Sequence, residues 1–166
     1  MLTNSYYLSS DEIAQMKEIK AHHPLNPDSE LFIRPLADAI GLTKLGVHLV
    51  RLKPGKEPNI YHSHHYEEEF YYILQGHGTA RIDDKEFSLS PGDFMAFPAP
   101  SVPHVIRNTS NEDLLYLVGG ERKPFEIGEF PDHDQLLIRE GRKAYLVDRS
   151  ALKPFMPIID KDEEST

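Results

Sequence analysis

The chain has 166 residues and no cysteine, and its 27 acidic and 18 basic side chains give a formal net charge of −9. This length suits one domain with its own hydrophobic core, and the lack of cysteine excludes disulfides, thiolate metal sites and a catalytic thiol. The negative charge disfavours a nucleic-acid surface, which neutralises phosphates with basic residues, so we expect small-molecule partners and no nucleic acid.

Residues 1–44 are predicted to form an N-terminal helix and arm. The start lacks the basic stretch and apolar core of a secretory signal, and no later segment is apolar enough to span a bilayer, so we expect a cytoplasmic protein away from membranes. Ser9 and Glu12 fit a capping box, which predicts a helix of roughly three turns with Ile13, Met16 and Ile19 on one face. We expect this arm to pack on the domain or to join two chains in a homodimer.

Residues 45–150 are predicted to form a β-barrel. Segments rich in β-branched and aromatic residues recur about every eight to twelve residues with turn signals between them, which is typical of an antiparallel sandwich or barrel. The predicted strands are LGVHLVRL, EEFYYILQG, TARIDD, KEFSLS, DFMAFP, HVIRN and LLYLVGG, followed by two further short strands. Residues 151–166 are predicted to be a C-terminal tail that is partly disordered.

A pair of histidines in HSHHYEEEF indicates a metal site. His62 and His64 are two residues apart, so on a strand both imidazoles point to the same face. Glu69 lies five residues beyond His64, an odd offset that would place it on the opposite face of a continuous strand. We therefore expect the chain to turn near His65 and Tyr66, with Glu69 on a neighbouring strand beside the histidines.

A helix is the alternative for this segment, because His62, His65 and Glu69 would share one helix face. The aromatic and β-branched run FYYIL and the preceding Pro58 favour strands. About forty residues later, a glycine turn, a strand and a proline-rich loop deliver His104 at the start of another strand. Three imidazoles and one carboxylate suit Fe(II), Mn(II), Ni(II), Co(II) or Zn(II).

These residues resemble the two motifs of the cupin superfamily over roughly residues 45–120. The first motif contains a glycine, a His-x-His pair, a glutamate and a closing glycine, and the second runs from a glycine through a proline to a histidine and an asparagine. The matching residues are Gly55, His62, His64, Glu69 and Gly76 in the first motif, and Gly92, Pro98, His104 and Asn108 in the second. The loops before His62 and His104 are each one residue longer than usual, and Pro100 stands where a glycine is common.

The resemblance implies an all-β fold, a double-stranded β-helix (a jelly-roll or cupin barrel), here with a short N-terminal helix. It also implies one divalent metal ion, Fe, Mn, Ni, Co or Zn, bound by His62, His64, Glu69 and His104. Isolated barrels of this family often pair, which again predicts a homodimer. The stretch FPDHD resembles the C-terminal region of single-domain cupins whose function is largely uncharacterised.

Two kinds of function fit these expectations. The first, which we favour, is an enzyme that uses the ion as a Lewis acid or to activate O₂ in an isomerase, lyase or oxygenase reaction on a small molecule. The alternative is a non-catalytic, metal-dependent module that binds or senses a small ligand. The sequence assigns no catalytic acid or base and no cofactor other than the ion.

The remaining histidines and carboxylates have plainer interpretations. His65 is expected to face away from the site, and His48 is expected to pack beneath it or to support a ligand. Glu67 and Glu68 are expected to form a solvated edge, although Glu68 would replace Glu69 if the strand register slipped by one residue. Four histidines are expected in solvated loops or turns: His22, His23, His77 and His133.

Overall fold

The structure is a computed structural model that describes residues 6–155. The two α-helices of this part of the chain are α1, Ser10–Gln15, and α2, Leu36–Ala39, and turns of 3₁₀-helix lie at Pro131–His133 and Arg149–Ala151. The strands are β1 Ile19–Ala21, β2 Leu31–Pro35, β3 Leu45–Leu52, β4 Ser63–His64, β5 Glu69–Gln75, β6 Gly78–Ile82, β7 Lys85–Leu89, β8 Phe94–Phe97, β9 His104–Arg107, β10 Leu114–Glu121, β11 Phe125–Phe130, β12 Gln135–Glu140 and β13 Lys143–Asp148. No helix within residues 6–155 has the length and apolar character needed to cross a bilayer.

The strands form an all-β jelly-roll barrel, as predicted. Its sheets are antiparallel, with strand orders β1-β2-β3-β10-β5-β8, β13-β12-β11-β4 and β7-β6-β9. Three strands rather than two follow Gly120. The additional strand is β13, whose residues are almost all exposed and therefore carry no hydrophobic alternation that the sequence could reveal. The predicted tail lies outside the described residues from position 156 onward.

The N-terminal segment begins with the expected capping box but has a shorter helix. The Ser9 side chain accepts a hydrogen bond from the Glu12 backbone, and the Glu12 carboxylate accepts one from the Ser9 backbone. The prediction of three turns is wrong, because Met16 leaves the helical conformation and the β-branched Ile19 pairs with Ile33 in the sheet. Strands β1 and β2 thereby extend the main sheet beyond β3.

The inner face of the six-stranded sheet forms one wall of the core. Val50 and Leu52 on β3 are buried, as are Tyr116 on β10 and Ile73 on β5. Burial of each such side chain is worth about 1.5–3 kcal/mol. Because alternate residues share a face, Glu69, four residues before Ile73, lies on this inner face at the end of β5.

Two turns hold the ends of the strands. Gly76 has a φ of 80°, and a Cβ there would lie 2.4 Å from the backbone oxygen of Asp113, so the turn requires glycine. Asn108 is fully buried, and its Nδ2 donates to the carbonyl oxygens of Leu52 at 2.7 Å and Glu112 at 2.8 Å. Asn108 thus ties the end of β3 to the turn that follows β9.

Candidate metal centre

The histidine pair lies where β4 meets β9. His62 forms an isolated antiparallel bridge with His104, and the His104 backbone N–H donates to the His62 carbonyl at 2.8 Å. His64 is the second residue of β4, which pairs with β11. The two imidazoles share a face, as their spacing predicts, with ring centroids 4.9 Å apart.

Glu69 reaches the histidines from a different sheet. The chain bends at His65 and Tyr66, as predicted, and Glu69 begins β5. The expectation that β5 is the neighbouring strand is wrong, because β4 pairs with β11 whereas β5 pairs with β8 and β10. The site therefore draws on all three sheets, with His64 on β4, Glu69 on β5 and His104 on β9. The helical alternative is excluded, because this segment forms strands.

The four side chains converge inside the barrel. One nitrogen from each imidazole and one carboxylate oxygen lie within 4.8 Å of one another in the group His62, His64, Glu69 and His104. The Glu69 Oε2 atom is 3.1 Å from His104 Nε2 and 3.7 Å from His64 Nε2. Such a set of nitrogen and oxygen donors could hold one transition-metal ion.

Hydrogen bonds and stacking fix two of the rings. The Nδ1 atoms of His62 and His104 lie 2.8 Å and 3.0 Å from the carbonyl oxygens of Ile60 and Val102, so each Nδ1–H donates and each Nε2 keeps its lone pair. Phe97 stacks on the His104 ring at 3.6 Å with only 5° between the planes. Both rings are therefore held with Nε2 available to a ligand.

His64 shows that the protein alone leaves this site incomplete. Both of its ring nitrogens are buried and have no hydrogen-bond partner among the described residues. A buried polar atom without a partner costs about 1–3 kcal/mol. A cation beside His64 Nε2 would remove that cost at one of the two nitrogens, so the residues present fit a bound metal ion.

The protonation states also suit metal binding. Burial, together with the nearby His104, lowers the pKa of His62 to about 3, so this imidazole is neutral. Burial alone would raise the pKa of Glu69, but the imidazoles of His104 and His64 beside its carboxylate outweigh burial and hold the pKa well below its usual range. A neutral imidazole and an ionised carboxylate are the forms that ligate metals.

Two further side chains contact Glu69 and His64. The Tyr71 hydroxyl donates to Glu69 Oε2 at 3.1 Å, and burial raises the pKa of Tyr71 so that it stays protonated. Burial lowers the pKa of His64, but the neighbouring carboxylates of Glu69 and Glu126 outweigh burial and raise it above its ordinary value.

Glu126 is the residue that the sequence did not reveal. It is only 3% exposed, lies on β11, and its carboxylate accepts from the backbone N–H of His65 at 2.8 Å and of Tyr66 at 3.2 Å. Its Oε1 is also 3.7 Å from His64 Nδ1. Glu126 thus holds the bend between β4 and β5, and only the pairing of β4 with β11 could have identified it.

The side chains of His65, Glu67 and Glu68 lie around the bend between β4 and β5. Glu67 is not a solvated edge residue, since its carboxylate accepts from the Lys123 backbone and from Arg139, whereas Glu68 is exposed. His65 faces away, with Nε2 2.7 Å from Glu129 Oε1.

The histidines outside the centre also differ from one another. His48 faces the barrel interior, on the side of Val50, and its Nδ1 is buried without a partner in the described part of the chain. His22, His77 and His133 are exposed, as expected. His23 is partly buried against Phe130, so the expectation that it is solvated is wrong.

The sequence and fold match known proteins. The model of the family described as "Cupin domain" matches residues 48–120. A candidate sugar phosphate isomerase from Acidithiobacillus ferrooxidans has a crystal structure 36% identical in sequence, which superposes with a TM-score of 0.88 over 91% of this chain and 97% of that chain. This chain belongs to the cupin superfamily and is a single-domain member of the conserved-barrel type.

Two further relatives bear on function. A sugar phosphate isomerase of the cupin superfamily from Silicibacter pomeroyi is 28% identical, with a TM-score of 0.76 over 90% of this chain and 96% of that one. The oxalate-binding protein of Thermotoga maritima is 37% identical over 68 residues, which are 41% of this chain and 54% of that protein. This chain thus spans about half the length of that protein and of another curated relative.

Proposed function

We propose that this protein is a metal-dependent isomerase of phosphorylated sugars. The observation that carries the proposal is the convergence of His62, His64, Glu69 and His104 inside the barrel. It is supported by the similarity, over nearly the whole described chain, to two proteins described as sugar phosphate isomerases, one of them a candidate. Both similarities extend well beyond the two motifs.

In this proposal, the four residues hold one divalent ion, which is Fe, Mn, Ni, Co or Zn. Such an ion supplies Lewis acidity, which polarises a carbonyl and lowers the pKa of a neighbouring hydroxyl. The protein contributes the fixed geometry. Phe97 and the carbonyl oxygens of Ile60 and Val102 orient the rings of His62 and His104, and Tyr71 fixes the Glu69 carboxylate through its hydroxyl.

Metal content and turnover measured together test the proposal. Untagged protein should contain close to one equivalent of a divalent metal, and NMR should detect aldose–ketose interconversion of a hexose 6-phosphate. Chelation or His104→Ala should abolish both while circular dichroism stays unchanged. As a matched control, His77→Ala removes an exposed histidine and should keep both. Metal-loaded protein without turnover on any of a panel of pentose and hexose phosphates would refute the isomerase.

The second candidate is non-catalytic binding of a small dicarboxylate. It is favoured by the similarity to the oxalate-binding protein, which covers only part of either chain. Metal-loaded protein would then bind oxalate and return it unchanged. Calorimetric titration with oxalate distinguishes this function, because an isomerase of sugar phosphates should bind the sugar phosphate more tightly.

We also propose that the protein forms a homodimer, in which two chains pair through the outer faces of their six-stranded sheets. Tyr72, Leu74 and Phe94 are 40%, 43% and 62% exposed on this face, and next to them a groove of about 440 Å³ is lined by Val47 and Phe70 among others. Contiguous exposed apolar surface marks interaction sites. Solution scattering should give a dimer mass for the wild type and a monomer mass for Phe94→Glu, and a monomeric wild type would refute the pairing.

A further inference from the structure

A cationic group lies on the inner side of the main sheet, beside the proposed metal centre. Arg122 follows β10 at a two-residue spacing from Gly120, on the parity of the inward-facing residues. A Cβ built on Gly46 would lie 3.1 Å from Arg122 Nε and 3.5 Å from His48 Nε2. The guanidinium and the imidazole therefore occupy the space above Gly46 that a side chain would otherwise fill.

The strand register connects this group to Glu69. Gly46 pairs with Gly120, and Gly120 pairs with Glu69. Adjacent strands are about 4.8 Å apart, so Gly46 and Glu69 are separated by about 10 Å across the sheet. Because Gly46 and the one intervening position, Gly120, are both glycines, this row of the sheet places no side chain between the guanidinium and the carboxylate.

Both side chains retain unused hydrogen-bonding capacity. Arg122 pairs with Asp38 through its two Nη atoms, so its Nε takes no part in that pair and lies beside Gly46. The Arg122 side chain is 34% exposed, so a ligand can reach it. The His48 Nδ1 atom is buried without a partner among the described residues. Burial, reinforced by the charge of Arg122, lowers the pKa of His48, so the imidazole is neutral and can donate one hydrogen bond.

We propose that Arg122 and His48 bind the phosphate group of the substrate while its sugar oxygens reach the metal centre. This inference rests on the proposed function and narrows it. The planar guanidinium matches the geometry of phosphate oxygens, and a five- or six-carbon sugar chain spans a distance of the order that separates Gly46 from Glu69. A free sugar offers Arg122 no anion, and oxalate is too short to reach from the metal centre to Arg122.

Calorimetric titration with inorganic phosphate tests the site formed by Arg122 and His48. The protein is used free of metal, because a bound metal ion would itself bind phosphate. Arg122→Gln should weaken binding about tenfold or more, the range expected for a lost charge-assisted hydrogen bond. Arg81→Gln is the matched control. Arg81 also makes a bidentate pair with an aspartate, Asp132, and its side chain is 36% exposed, but it lies on the opposite face of β6 from buried Ala80.

Asp38→Asn separates binding from structural support. If Arg122 only anchors α2 through Asp38, both substitutions weaken phosphate binding alike. If Arg122 binds phosphate, Asp38→Asn removes a competing anion and binding is at least as tight as in the wild type. Wild-type protein that does not bind phosphate, or an Arg122→Gln variant that binds it normally, overturns the inference.

The phosphate site and the proposed isomerase activity can be tested independently of each other. Binding of phosphate that depends on Arg122, in a protein without metal or turnover, would leave the phosphate site standing and remove the isomerase. Metal-dependent turnover whose KM for a hexose 6-phosphate is unchanged by Arg122→Gln would support the isomerase and rule out the phosphate site. When both proposals hold, Arg122→Gln raises that KM about tenfold or more and leaves metal content at the wild-type level.

Discussion

Glu126→Gln offers a specific test of how the metal centre is held. The Glu126 carboxylate faces His64 Nδ1 at 3.7 Å and accepts from the backbone of His65 and Tyr66. Glutamine retains one acceptor oxygen for the backbone and removes the negative charge. If Glu126 orients and polarises His64, metal affinity should fall while the bend between β4 and β5 persists.

Glu126→Gln should lower metal affinity much more than it lowers the stability of the fold. Loss of a carboxylate that supports a ligating histidine costs about 10- to 100-fold in metal affinity. The cost in folding should be about 1 kcal/mol or less, because the buried acceptor remains, and 1 kcal/mol shifts Tm by about 2–4 °C in a protein of this size. Glu126→Ala, by contrast, leaves the Tyr66 N–H without its acceptor and should cost about 1–3 kcal/mol.

Competition with a metal-binding dye measures the affinity, and melting of metal-free protein measures the fold. The control is Glu129→Gln, which removes a carboxylate from the same strand but from the opposite face, where it contacts His65 and Arg149. The expected result is weaker metal binding for Glu126→Gln only. Affinity within about twofold of the wild type, or an equal decrease for Glu129→Gln, would show that Glu126 does not support His64 as a metal ligand.

Three other predictions concern acid stability and turns. The pKa of His62 is lowered to about 3, so the unfolded state binds more protons and metal-free protein loses stability as pH falls from about 6.5 toward 3. Between pH 6.5 and 5, His62→Gln should reduce that loss by about 2 kcal/mol in urea unfolding, and an identical loss in both proteins would contradict this. Asn108→Ala removes the Nδ2 donor of the Leu52 carbonyl, while Ser110 Oγ still donates to the Glu112 carbonyl. It should cost about 1–3 kcal/mol in the same assay with metal content unchanged, and a loss below about 1 kcal/mol would oppose it. Gly76→Ala should lower Tm far more than Gly41→Ala. Both glycines have a positive φ, but only at Gly76 would a Cβ meet a backbone atom, the Asp113 oxygen. Equal decreases in Tm would show that the backbone moves to relieve this clash.

The four residues of the candidate metal centre could be selected from the sequence because each depends on local spacing or on a short motif. The parity of His62 and His64 requires only that they lie on a strand, and the bend before Glu69 follows from its odd offset. The order of sheets is not local, which is why Glu69 was expected beside β4 and lies instead in a different sheet. Sequence spacing defines the faces of strands but not their neighbours.

The residues that the sequence missed depend on long-range pairing. Glu126 approaches His64 only because β11 pairs with β4. Its carboxylate accepts from the backbone N–H of His65, which is 61 residues away in the sequence. Arg122 lies above Gly46 only because β10 pairs with β3. The short α1 illustrates the opposite case, since its capping box is correct while tertiary pairing of Ile19 ends the helix early.

Anomalous diffraction from crystals of metal-loaded protein, recorded on both sides of the absorption edge of the ion, locates the ion itself. We expect one strong peak within bonding distance of His62, His64, Glu69 and His104. A peak among His64, Glu67 and Glu126 instead, or none in protein offered each of the five candidate metals, would contradict it.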